Sequence, residues 1–172
     1  MKKLTLTLSL MIMCILGYSQ EGPIEIAKSV NGEYVYSEAY VKTVIHAGLL
    51  QGNNAELRDG FEVKDVELRQ AQDDSYYIKS VIIDSNGKHY SFAVSLDQNS
   101  DVTGDVLEMN GGGCTATCSG QGTDPCGTCT LTVLSGCKIF RCECTSGLGN
   151  CTGTSTFEFR IAAKSFEPIP SN

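Results

Sequence analysis

The sequence predicts an α+β fold: one helix packed on an antiparallel β-meander, with a Gly/Thr-rich, disulfide-stapled lobe and a returning C-terminal strand. Three observations carry this expectation. Two β-rich runs, 76–83 and 89–96, are joined through Asn86-Gly87. An apolar stripe of helical spacing lies upstream, at Tyr40, Val41, Val44, Ile45 and Leu49. Eight of the nine cysteines crowd into residues 114–151.

The meander is the clearest element. Tyr90, Phe92, Val94 and Leu96 alternate with His89, Ser91, Ala93 and Ser95, a period of two that turns one face inward. The run Tyr76-Tyr77-Ile78-Lys79-Ser80-Val81-Ile82-Ile83 before it is rich in β-branched and aromatic residues, and Asn-Gly is the pair a type I′ turn favours. A third strand precedes these, with Phe61, Val63, Val66 and Leu68 apolar; its phase slips at Lys64-Asp65, the mark of a bulge. The helix upstream has Ser37 as N-cap and Gly52 as its stop. Ahead of it, Asn31-Gly32 predicts another hairpin turn, between Ile24–Val30 and Glu33–Ser37. Near the other end, Phe157, Phe159 and Ile161 alternate with Glu158 and Arg160. Such a strand is expected to return to the meander's sheet, which makes the cysteine-rich stretch an insertion within one domain. A helix followed by an antiparallel meander resembles the cystatin arrangement in layout, although the chain lacks that family's central Gln-x-Val-x-Gly segment.

The first nineteen residues read as an address. Lys2 and Lys3 form a positive start, Leu4 to Leu16 an apolar run too short to span a bilayer comfortably, and Gly17-Tyr18-Ser19 places small residues at −3 and −1 of a cut between Ser19 and Gln20. Met13, directly before Cys14, is not the small residue a lipoprotein anchor needs. The expected product is therefore secreted or periplasmic, with no membrane span. Removing 1–19 takes Lys2 and Lys3 from a net charge of −7, leaving −9, and takes Cys14 from nine cysteines, leaving eight. An acidic chain of this kind does not suit nucleic acid or an anionic membrane surface, both of which select clustered Lys and Arg.

The remaining chain divides by composition. Residues 20–113, the acidic α+β core, hold no cysteine and carry 16 acids against 7 bases. Residues 114–151, the cysteine-rich lobe, are near neutral, and 152–172 form the C-terminal strand and tail.

The cysteines Cys114, Cys118, Cys126, Cys129, Cys137, Cys142, Cys144 and Cys151 stand among Gly, Thr and Ser, with few apolar residues to bury. An even set in an oxidising compartment predicts four disulfides, their pairing left open by 105 possible connectivities. Each closure contributes about 2–4 kcal/mol, which offsets what hydrophobic burial cannot supply here. The runs 130–134 and 137–144 form a small hairpin around Ser135-Gly136; Phe140, Cys142 and Cys144 share one face of its second strand, so these two cysteines bond different partners.

Two other chemistries use subsets of the same residues. Cys126-x2-Cys129 with Cys142-x-Cys144 supplies four thiolates, enough for tetrahedral zinc or an iron–sulfur cluster, but would strand four further cysteines in a compartment that oxidises thiols. Pro125-Cys126-Gly127-Thr128-Cys129 has the spacing of a thiol oxidoreductase, with Cys126 as nucleophile and Cys129 as resolving thiol. The β-leaning Thr130-Leu131-Thr132-Val133 follows where that chemistry uses a helix N-terminus. Gly111-Gly112-Gly113 before Cys114 reads as a joint between core and lobe rather than a double-glycine leader boundary, given a separate export signal. His46 and His89 are far apart in sequence and read as lone surface or half-buried residues. Asp73-Asp74 and Asp101/Asp105 lack the alternating ligands of a calcium loop. Asn150-Cys151-Thr152 fits a glycosylation sequon that a disulfide at Cys151 would hinder. No phosphate loop, nucleophile elbow or HExxH is present. The expected function is an exported, non-catalytic binding protein with a rigid recognition lobe and no cofactor. Its expected partner is another exported or cell-surface protein or a small extracellular ligand; the alternative is redox or metal chemistry at Cys126 and Cys129.

Overall fold

A computed structural model describes residues 23–101, 104–109, 115–120, 129–135, 139–144, 151–152 and 157–161. The expected export segment 1–19 and expected Ser19–Gln20 cut, the glycines 111–113, the cysteines at 114, 126 and 137, and Asn150 lie outside them.

Asn31 and Gly32 hold φ of +55° and +83°, the backbone a type I′ turn requires, and they join β1 (Ile24–Val30) to β2 (Glu33–Val35) with Val30 opposite Glu33. The helix α1 (Glu38–Gln51) follows, its N-terminus capped by Ser37, whose hydroxyl accepts from the Tyr40 N–H. Val41, Val44, Ile45, Gly48 and Leu49 form its buried stripe. The meander is β3 (Phe61–Gln70), β4 (Tyr76–Asp84) and β5 (His89–Asp101), with a register shift between Val63 and Asp65 where the apolar phase slips. The β4–β5 turn departs from the expected type I′. Gly87 N–H bonds Asp84 O at 3.0 Å, so Ser85 and Asn86 are the central pair, and only Gly87 (φ +78°) is left-handed. Asp84 explains the longer loop: its buried carboxylate accepts from the N–H groups of Asn86 and Lys88, each at 2.9 Å, and from the Tyr90 hydroxyl at 3.2 Å. A two-residue turn would leave it fewer donors.

The sheet dominates the molecule more than the predicted helix-on-meander layout suggests. Beyond the meander come β6 (Gly104–Met109), which pairs with β5 and β1, and β7 (Thr115–Gly120), which pairs with β5. A short β10 (Cys151–Thr152) continues from β7. All these pairings are antiparallel. The 13-residue β5 is the shared strand: residues 89–96 pair with β4, 90–94 with β7 and 97–101 with β6. On one face, Ile78, Ile82, Phe92, Val94, Leu107 and Met109 are fully buried beneath α1. On the other, Asp97, Glu108 and Glu25 stand in register across β5, β6 and β1. Like charges directly opposite are unfavourable, and this row is tolerable because Asp97 and Glu25 are exposed to screening solvent.

Residues 157–161 do return to the core, with Phe157, Phe159 and Ile161 buried and Arg160 exposed. They are extended but not a ladder strand. Instead, the Asn54 side-chain amide takes the part of a neighbouring strand: its Nδ2 donates to Glu158 O and its Oδ1 accepts from Glu158 N, both at 2.8 Å. Arg160 N–H donates to Gly48 O at 3.1 Å, and Asn53 N–H donates to the Glu158 carboxylate at 2.9 Å. On the sheet side, Phe157 N–H donates to Thr117 Oγ1 and Thr115 Oγ1 donates to Phe157 O. Two glycines make room. A Cβ on Gly48 would overlap the Phe159 ring, and one on Gly52 would overlap the Glu158 carbonyl. Gly52 has φ of −72°, so space and not backbone conformation requires glycine there.

These contacts set the signs of two substitutions. Gly48→Ala would gain about 1 kcal/mol of helix propensity, but overpacking against a buried ring costs about 1–3 kcal/mol. Chemical denaturation is expected to find Gly48→Ala less stable than wild type, and Gly52→Ala less stable still, because there the obstacle is backbone. A pH effect follows from Tyr90. Burial first, then the Asp84 carboxylate, pushes its hydroxyl up to about 12 from 10.0. The folded state therefore holds this proton more tightly than the unfolded chain. Its contribution to stability is complete below pH 10 and is lost as pH rises through about 12. Burial also raises Tyr34 and Tyr40, so phenolate absorbance should show more than one tyrosine titrating late, and Tyr90→Phe should remove the component at about 12.

Candidate functional site: a disulfide-tied hairpin on the sheet

The face of β5 opposite its aromatic side carries Ser91 and Ala93, and β7 sets Cys118 and Ala116 directly opposite them. Small side chains at these positions let a second layer come close. That layer is the hairpin of β8 (Cys129–Ser135) and β9 (Ile139–Cys144), antiparallel, with Leu131 opposite Cys142 and Val133 opposite Phe140. Cys129, Leu131 and Val133 are buried against Ala71, Tyr77, Ala93 and Ala116, forming a second core separate from the one beneath α1. The Ser91 hydroxyl donates to the Cys129 carbonyl, which satisfies both groups in a dry interface.

Cys118, fully buried in β7, is bonded to the half-buried Cys142 of β9, with 5.9 Å between their Cα atoms. This bond crosses from the main sheet to the hairpin layer and closes a loop between residues 24 apart in sequence. Cys129 is also disulfide-bonded. Two of the four sulfurs of the tetrathiolate grouping, Cys129 and Cys142, thus stand as disulfide sulfur, and Cys129 lies within a strand instead of at a helix N-terminus. Cys144 and Cys151 lie on β9 and β10, Cys144 opposite Cys129 in the ladder. The expectation that Cys142 and Cys144 bond different partners is resolved for Cys142 alone.

The hairpin's outer surface is polar. Thr130 and Thr132 are half-buried, and Arg141 and Glu143 are exposed and form an ion pair at 3.3 Å. Phe140 remains 38% exposed. Among its described residues, none forms an acid–base pair or an activated nucleophile. His46 stacks on Phe61 at 4.6 Å between ring centroids, and His89 sits opposite Ile83 at the start of β5, so the histidines serve different elements. Asp73 accepts from Ser75 within the β3–β4 turn, and Asp105 accepts from Ser100 across the β5–β6 hairpin. Among the described residues no group of three His, Cys, Asp or Glu side chains converges to hold a metal, and no helix is long and apolar enough to cross a membrane. The small residues Ser91, Ala93 and Ala116 were the readable trace of the second layer; the Cys118–Cys142 pairing left none. Compared with known proteins, the chain matches no family model, no curated protein and no solved structure.

Alkylation under denaturing conditions without reduction is expected to leave Cys118, Cys129 and Cys142 unlabelled, and prior reduction should label all three. Removing the crossing bond as Cys118→Ala/Cys142→Ala should lower the unfolding free energy in urea by about 3–4 kcal/mol, the scale for a loop of this length.

Proposed function

We propose that the protein is an exported, non-catalytic binding module that presents the β8–β9 hairpin to its partner. One observation carries this reading. The hairpin is fastened to the sheet by a disulfide and by a buried inner face, so its outer surface of Thr130, Thr132, Arg141 and Glu143, with the partly exposed Phe140 of the inner face at its margin, is held in place before any partner arrives. A preorganised surface loses little conformational entropy on association. The mixture of an exposed aromatic ring, a guanidinium and threonines suits a partner with both apolar and polar groups, either another exported or cell-surface protein or a small extracellular ligand. The export segment supports the same compartment for both.

The test is retention of labelled, disulfide-intact protein on intact cells and extracellular material of the producing organism. Thr132→Ala/Arg141→Ala, which alters two facing residues of the outer surface, should reduce retention at least tenfold while leaving the unfolding midpoint within error of wild type. Equal retention of the two proteins would move the binding surface elsewhere. Full labelling of two thiols in the native export product, mapped to Cys126 and Cys129, would instead favour the redox alternative.

A further inference from the structure

The second candidate surface is one the chain fills with its own residues. We propose that the cleft between the C-terminal end of α1 and β7 is a receptor groove for an extended peptide of the pattern Phe-x-Phe-x-Ile, filled in cis by residues 157–161 and open in trans to the same segment of a second copy. Four features of the groove point this way. Its hydrogen-bonding groups belong to the receptor and not to a ladder partner: the Asn54 amide reads one residue's N–H and C=O together, Thr117 accepts from the Phe157 N–H and Thr115 donates to the Phe157 C=O. Asn54 is itself aimed by a third bond, Nδ2 to Leu49 O at 2.9 Å. Gly48 lies in the interior of α1, where glycine is less favourable than alanine, and a Cβ there would overlap the Phe159 ring. The segment is extended with alternate side chains buried, the form in which sheet-edge and groove receptors take peptides.

Affinity in such a groove comes from burying three apolar side chains, with the amide pairing fixing direction and register. In the intact chain only residues 153–156 separate the segment from β10, so the effective concentration of the resident segment is on the order of millimolar and a second copy competes poorly. Weakening the resident segment shifts that balance. This groove is independent of the hairpin surface, and neither reading depends on the other.

The experiment uses the full chain carrying Phe159→Ala and a fluorescent synthetic peptide spanning Ser155 to Ala163. The expected result is saturable binding at least tenfold tighter than to wild type, at least tenfold weaker for a peptide with Phe159→Ala, and lost when Gly48→Ala is added to the Phe159→Ala chain. A folded Phe159→Ala chain that ignores the peptide, or binds both peptides alike, overturns the proposal. Should the Phe159→Ala chain fail to fold alone, the native peptide is expected to restore its circular dichroism, and no restoration overturns the proposal equally.

Discussion

Strand β5 must be kept dry on two sides at once, and the rest of the structure follows from how each side is covered. Phe92 and Val94 point one way and are fully buried; Ala93 and Ser91 point the other way and are nearly so. A strand buried on both faces needs three layers, and the described residues offer one α-helix. The helix covers the aromatic side together with 157–161. The other side is left to a two-stranded hairpin, an element that is marginal by itself in water. Hence the covalent tie. Cys118–Cys142 joins the hairpin to the strand beside β5, at the point where small residues bring the layers together.

The two coverings use different physics. Beneath α1, large side chains interlock: Phe92 meets Phe157 and Phe159 at ring separations of 6.3 and 5.9 Å, and Tyr90 meets Phe157 at 5.2 Å. Burial at this scale is worth several kcal/mol in total and requires no covalent help. Under the hairpin, the buried set is alanines, one tyrosine, two aliphatics and cysteines, which supplies far less. The disulfide constrains the unfolded chain where the folded one has little apolar area to gain.

The meander, the helix with its Ser37 cap, the Asn31-Gly32 hairpin and the bulge at 63–65 were legible because each rests on local rules: a period of two or 3.6, a capping hydroxyl, two residues tolerant of positive φ. The β4–β5 turn was misread for an instructive reason. Asn86-Gly87 satisfies the local preference for type I′, but the buried Asp84 gathers donors from Asn86, Lys88 and Tyr90, and that tertiary demand sets the loop. The end of the chain shows the same limit. Alternation announced that 157–161 would be half buried; only the fold supplied Asn54 as its neighbour in place of a strand.

By itself, then, the sequence determined which segments extend, which one coils and where covalent closure would concentrate, because hydrophobic period, turn residues and cysteine number act over a few positions. The tertiary structure alone decided that β7 joins the main sheet, that Cys118 bonds Cys142, and that Gly48 and Gly52 exist to admit Phe159 and the Glu158 carbonyl. Those facts depend on contacts between residues 21 to more than 100 positions apart. No local preference encodes such a contact, since its energy appears only when both partners have already been placed.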